Sequence, residues 1–360
     1  MDKNRKYNFK KTSYNKLKLK TDIFGSQLFL LIKQDFIKNI KDYIPKNILL
    51  KKKNKDRIFE NLFCHWYFWE AYTSKLSYHP LLLEEDFNYK SLINILSDYL
   101  KGENDNCSEK FSEIILNLDL QKKFKNAVTL LKSKKDFNCS YNIYRYDKMI
   151  KIFINSDLLN DSFIVSAKHS EKILEKLGDD DFVSLMYRYH VLSSNNNQLA
   201  TNPKKLSEIN PDIELFSSGF NFSCNKFCSL FPDIESKLGS LGRFQDVNIL
   251  SGRYQINPPF QTTIIYDILG RIKGWIDKAN IEGNYLEFHL FLPDWSKNKS
   301  NLEYSKYLVL DLANEIDGKV EVKNIKNNDF NYIDYWNDKI RNYTLPDTLY
   351  LVICNEKDEK

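Results

Sequence analysis

Residues 251–260 read Ser251-Gly252-Arg253-Tyr254-Gln255-Ile256-Asn257-Pro258-Pro259-Phe260. Two consecutive prolines cannot sit inside a helix, and they remove two backbone donors. A residue that precedes proline is driven into extended geometry. Tyr254 to Ile256 is therefore predicted as a strand that stops at Asn257, where the chain turns stiffly. Beyond the turn, Ile264, Ile265, Ile268, Leu269, Ile272 and Ile276 recur at helical spacing. Strand, rigid polar tip and helix form the repeating unit of an α/β sheet. In open sheets of that kind ligands collect at the carboxyl ends of the strands.

The tip has a chemical reading. The exocyclic amine of a nucleobase is a poor nucleophile because its lone pair is delocalised into the ring. The Asn257 side-chain oxygen and the Pro258 carbonyl are two acceptors for such an amine. Held by both, the amine is drawn toward tetrahedral geometry and its lone pair is aimed. Phe260, set by Pro259, offers a face for the base, and such stacking is worth ~1–3 kcal/mol. Asn257, Pro258, Pro259 and Phe260 are thus expected to form a catalytic tip that methylates an amino group with S-adenosyl-L-methionine.

Composition bounds the rest. The chain has 360 residues, 42% of them apolar and 28% charged, which suits a globular protein of two domains. Net charge is +5 and the excess is uneven. Residues 1–20 carry eight Lys or Arg against one acid and are expected to form a flexible basic arm. Lys51-Lys52-Lys53-Asn54-Lys55 is a second cluster, and runs like these suit a polyanion. No apolar run approaches the ~18 residues of a membrane span, and no signal peptide is expected. Six irregularly spaced cysteines argue for reduced thiols in the nucleus or cytoplasm, with no metal site.

Periodicity from Asp22 to Leu131 is helical, and β-rich segments follow between Tyr141 and Ile154. Asp179-Asp180-Asp181 opens a helix that carries Arg188. Strands are then predicted at 213–216, 227–231, 254–256, 285–292, 320–322 and 349–353. Three strand ends line up. Ser217-Ser218-Gly219 is a small-residue turn, Asp233 with Glu235 supplies carboxylates suited to ribose hydroxyls, and Asn257 closes the series. The expected architecture is a basic arm (1–20), a mainly α-helical domain contacting RNA (21–178), and a Rossmann-like class I methyltransferase domain (179–360).

Four stretches carry a resemblance: residues 214–218 (ELFSS), 227–233 (FCSLFPD), 238–242 (LGSLG) and 252–260 (GRYQINPPF). Together they resemble the phosphorylated-CTD-interacting-factor family of cap-specific adenosine N6-methyltransferases, and residues 286–295 look like its next strand. The resemblance implies methyl transfer to N6 of the adenosine beside a 7-methylguanosine cap, with capped RNA as partner. It implies cofactor contacts from Ser217, Ser218, Gly219, Asn221, Asp233, Glu235, Gly239, Gly242 and Asn257. Substrate contacts are implied for Phe260, Arg188 and Trp295. The family usually has proline where this chain has Gly219. No paired-Trp WW module is expected, which argues against recruitment to phosphorylated polymerase tails. A DNA or internal-RNA adenine methyltransferase, or a non-catalytic RNA binder, would use the same features differently.

Overall fold

The strand before the two prolines forms and stops as the sequence requires: Gly252–Ile256 is extended and Thr262–Glu282 is a helix. The structure, a computed structural model, describes residues 6–9, 16–43, 55–73, 78–84, 87, 89, 91–93, 96, 107–134, 136–192, 199–294, 306–326, 332–337, 339–341 and 347–355. In chain order the first elements are β1 (Tyr7–Phe9), α1 (Leu19–Tyr43), α2 (Lys55–Thr73), α3 (Cys107–Leu118), α4 (Leu120–Ser133), β2 (Cys139–Arg145), β3 (Met149–Ser156) and β4 (Asp161–Ser166). Then come α5 (Ala167–Leu177), α6 (Asp179–Leu192), β5 (Leu199–Ala200), α7 (Pro203–Ile209), β6 (Ile213–Glu214), α8 (Pro232–Glu235), β7 (Val247–Ile249) and β8 (Gly252–Ile256). The remainder are α9 (Thr262–Glu282), β9 (Leu286–Pro293), α10 (Lys306–Asn314), β10 (Lys319–Ile325), β11 (Tyr332–Asp334), β12 (Lys339–Arg341) and β13 (Thr348–Cys354). Two units result, one built from Met1–Asn15, Lys168–Leu177 and Gln198–Lys360, the other from Lys16–Ala167 and Gly178–Asn197.

The first unit is mixed α/β. Its main sheet has β6, β8 and β9 parallel, with Ile213 opposite Tyr254 and Ile256 opposite Leu290. β13 runs antiparallel to β9, and β10 antiparallel to β13. Beyond β6, Phe227 and Ser240 add single parallel bridges. Backbone bonds from Cys228 N to Glu214 O (2.8 Å) and Ser229 N to Gly242 O (3.0 Å) continue them. The order across the sheet is Ser240, Phe227, β6, β8, β9, β13, β10. The chain moves outward from β6 to Ser240 and then returns to lay β8 and β9 on the other side. Strand order therefore reverses between β6 and β8. The strand expected over 227–231 shrinks to a bridge because Pro232 starts α8, where a missing N–H is harmless.

All six apolar positions that predict α9 are buried, and each such side chain contributes roughly 1.5–3 kcal/mol. Trp275 of α9 stacks on Phe288 of β9 (5.9 Å), which stacks in turn on Tyr254 of β8 (5.6 Å). Gly283 ends the helix at φ 67°, a left-handed cap that favours glycine.

The expected free arm is corrected at residues 6–9. β1 pairs antiparallel with β7, covering an edge that would otherwise expose backbone donors. The Lys6 carbonyl accepts from Leu250 N and Ser251 N, while its amine pairs with Asp212 (2.8 Å). At the other end of the expected arm, Lys16 pairs with Asp181 and Leu19 and Lys20 open α1, while residues 1–5 and 10–15 lie outside the described residues.

The second unit is helical with a three-stranded antiparallel meander, β2-β3-β4. Its core is aromatic: Phe29 of α1 meets Phe63, Tyr67 and Phe124, and Trp66 meets Phe63 and Phe87. α6 belongs to this unit and α5 to the first, so the single boundary expected at 178 is replaced by an interleaved division. The helix opens at Asp179 as the three aspartates predict, and Asp181 to Tyr189 are all buried.

Candidate active site

The site is built outward from the stiff tip. Pro258 is buried, and Phe260 packs on a cluster of Ile209, Phe291, Tyr332 and Tyr350. Its ring meets Tyr332 edge-on at 6.2 Å. The Asn257 amide nitrogen donates to the Leu199 carbonyl at 3.3 Å. That bond fixes which way the amide faces, since a flipped amide would set oxygen against oxygen. Asn257 Oδ1 is consequently turned inward, where it is closed to solvent and has no hydrogen-bond partner. A buried acceptor left unmade costs about 1–3 kcal/mol. Gln261, just past Phe260, leaves a second buried amide oxygen unpartnered. By contrast Gln255, one residue pair before the tip, donates to Thr201 Oγ at 3.0 Å and is satisfied.

The turn after β6 comes to the same seam. The Asn221 amide donates to the Leu199 carbonyl at 3.5 Å, so that one carbonyl joins the turn to the tip. The turn's own donors are engaged internally. Ser218 N donates to Asn221 Oδ1 (2.7 Å), and Phe220 N and Asn221 N donate to Ser218 Oγ (3.1 and 3.2 Å). Ser217 Oγ donates to Glu214 Oε2 at 2.9 Å. Burial pushes the Glu214 carboxyl up, against the opposing pull of Ser223 N–H and the Ser217 hydroxyl. The turn thus offers a shaped backbone surface, not free N–H groups.

Glu235 is corrected from a ligand group to a brace. It is fully buried, and its two carboxylate oxygens accept from Gly219 N and Phe231 N. Asp233 stands half-buried in the first turn of α8. Gly239 sits at φ 114°, where an added Cβ would lie 2.3 Å from the Asn225 carbonyl, so close backbone approach explains the glycine. Gly242, at φ 137°, supplies the carbonyl that Ser229 N reaches.

Arg188 does not face a substrate. It is wholly buried in the second unit, with Nε donating to both oxygens of Asp22 (2.9 and 3.1 Å). His79 Nε2 lies 2.9 Å from the same carboxylate. Trp295 lies outside the described residues. Burial pushes the Cys224 thiol up to about 12 and raises Cys228 too, so neither is a thiolate. Among the described residues no group of three or more His, Cys, Asp or Glu could hold a metal ion, and no helix is long and apolar enough to cross a membrane.

Of the groups that gather at the tip, sequence reasoning missed Leu199 and Gln261. A backbone carbonyl has no sequence signal. Gln261 had one, a polar residue between a proline tip and an apolar helix.

With this geometry in hand, comparison with known proteins becomes specific. Residues 163–318 match the family described as "Phosphorylated CTD interacting factor 1 WW domain". The expected absence of the family's WW region is corrected by that match, and the argument against tail binding built on it falls too. The matched span runs from β4 through α10 to the residue before β10, taking in the Ser217 turn and the Asn257 tip. An 83-residue stretch is 30% identical to the mouse protein "mRNA (2'-O-methyladenosine-N(6)-)-methyltransferase", and equally so to the human protein of that name. It covers 23% of this chain and 11% of each relative, so the chain matches only a small part of their length.

Proposed function

We propose that the first unit is a Rossmann-like methyltransferase domain, and that the chain is an S-adenosylmethionine-dependent adenosine N6-methyltransferase. Its substrate is the adenosine beside the 7-methylguanosine cap of mRNA, and it acts in the nucleus or cytoplasm. One observation carries the reading: an oriented, unpartnered amide oxygen, Asn257 Oδ1, at the carboxyl end of β8 beside the reversal of strand order. Crevices outside such reversals bind ligands in open α/β sheets. The similarity of residues 163–318 to the family, and of an 83-residue stretch to the two named methyltransferases, supports the same reading.

The residues suit this cofactor, because the Asn257 and Asn221 amides both donate to the Leu199 carbonyl and so hold the small-residue turn beside the tip. The Ser217–Gly219 turn gives it a surface, and Asp233 is suited to its ribose hydroxyls. When bound, it supplies a methyl group already activated on a sulfonium. The chain's own task is orientation, and proximity of this kind contributes much of a rate enhancement. Asn257 Oδ1 and the Pro258 carbonyl accept the two amine N–H groups and aim the lone pair. Phe260 holds the base plane. Because Oδ1 is closed to solvent, the groups over it have to open for the amine to reach it, and the new bond then removes the orphan's cost.

The test is incubation with methyl-labelled S-adenosylmethionine and three acceptors: capped RNA beginning with adenosine, the same RNA uncapped, and duplex DNA. Label confined to capped RNA is expected. Label on DNA alone would move the activity to another substrate, and none on any acceptor would overturn the reading.

A further inference from the structure

We infer that the outward face of the β2-β3-β4 meander binds single-stranded nucleic acid, stacking bases on Tyr144 and Phe153 and holding a phosphate with Lys151. The inward face of the meander is core: Ile150, Ile152, Ile154, Phe163 and Val165 are buried. Alternation then turns the intervening residues outward. Across the three strands, Tyr144, Lys151 and Ile164 stand opposite one another in a single rung. Phe153 stands in the next rung, between Asn142 and Ser162. Tyr144 is 48% exposed and Ile164 47%, and at the hairpin end Tyr146 is 53% and Met149 41% exposed. A soluble sheet usually shows polar side chains on such a face, so an apolar outer face calls for a partner.

Charge decides which partner. Lys151 is at the centre, with its amine 4.4 Å over the Phe153 ring, and Phe153 meets Tyr144 edge-on at 5.4 Å. No outward strand position of the meander is acidic, and at the open hairpin Arg145 and Lys148 outweigh Asp147. Protein interfaces deplete lysine at their centres. Sites for single strands instead combine aromatic faces with a basic track, and the short Asn142 and Ser162 side chains on either side of Phe153 leave room for bases. A base can take the ring face that the Lys151 amine covers, while the amine swings to that nucleotide's phosphate. The inference does not depend on the transferase reading, and its readout is binding, not methyl transfer.

The experiment measures anisotropy of a labelled 12-nucleotide uncapped RNA against salt, for the full chain and for Phe153→Ala, Tyr144→Ala and Lys151→Ala. Each aromatic truncation should weaken binding about 10-fold. Lys151→Ala should lower the log–log salt slope by about 0.7. Asn155→Ser, on the rim of the same face, should change neither. If Phe153→Ala fails to fold, Tyr144→Ala and photo-crosslinking of thiouridine RNA to residues 141–153 carry the test. Unchanged affinity with no crosslink in that segment would overturn the inference. So would a dimer of this chain that dissociates in the aromatic variants, which would make the face a protein interface.

Discussion

Asn257→Ala separates two uses of one side chain, because its expected effect on stability is opposite to its effect on transfer. The amide nitrogen donates to the Leu199 carbonyl at 3.3 Å, and such a bond contributes about 0.5–1.5 kcal/mol. Leu199 O keeps a second donor, Asn221, at 3.5 Å, so the variant does not orphan it. The other end of the amide is the unpartnered Oδ1, whose burial costs about 1–3 kcal/mol. Removing both gives a net change between slight loss and a gain of roughly 2 kcal/mol. At about 2–4 °C per kcal/mol for a unit of this size, Tm should stay level or rise by several degrees. Transfer to the target amine should fall ~10²–10³-fold, the scale for losing one positioned polar contact at a reacting centre. Thermal unfolding and single-turnover transfer are measured on the same preparation. A Tm that falls by more than about 5 °C would make Asn257 a structural brace. Near-full turnover would remove it from the chemistry altogether.

Asp233→Ala should weaken S-adenosylmethionine binding ~10-fold or more, the scale of a charge-assisted hydrogen bond, and calorimetry showing unchanged affinity would exclude the ribose role. In the helical unit, burial pushes the Asp22 carboxyl up, but the Arg188 guanidinium beside it, with His79, outweighs burial and holds it at about 2. Because the folded value is depressed, this stabilisation is present above pH ~4 and is lost as pH falls toward 2, roughly 2 kcal/mol in all. Asp22→Asn should abolish that acid-side slope in urea titrations between pH 5 and 2. Finally, Gly239→Ala should destabilise by about 1–3 kcal/mol through its left-handed φ alone, with more from the clash at Asn225, whereas Gly270→Ala on an open helix face should not.

How far the sequence reached can be argued residue by residue. The tip and α9 were legible because prolines and a helical period are local signals, set by the chain's own sterics. β9 and β13 were legible as runs of apolar and aromatic residues. Arg188 was not, because burial of a guanidinium depends on Asp22, 166 positions away. Glu235 looked like a ligand for a similar reason: its partners are the backbone N–H groups of Gly219 and Phe231, which no residue type advertises. β1 was hidden by composition. A three-residue strand in a lysine-rich segment reads as solvated, yet the Tyr254 hydroxyl and two backbone N–H groups all donate to the Lys6 carbonyl.

Around the strand ends, chemistry and satisfaction diverge at one place. Glu214 takes Ser217 and Ser223, Glu235 takes Gly219 and Phe231, Gln255 reaches Thr201, and Ser229 pairs with Ser240 at 2.6 Å. Each of these groups is buried and paired, as a stable interior demands. Among the described residues, Asn257 Oδ1 and Gln261 Oε1, on either side of Phe260, are buried amide oxygens with no partner. A hydrophobic residue at either position would carry no unsatisfied oxygen, at the cost in Asn257 of the bond to Leu199. A local rule broken without a structural gain marks a place where something other than stability is served. Here the broken rule is an unmet acceptor, and what it lacks is a donor. An amino group held between the Asn257 side-chain oxygen and the Pro258 carbonyl would be such a donor, so the unmet acceptor and the proposed chemistry are one property.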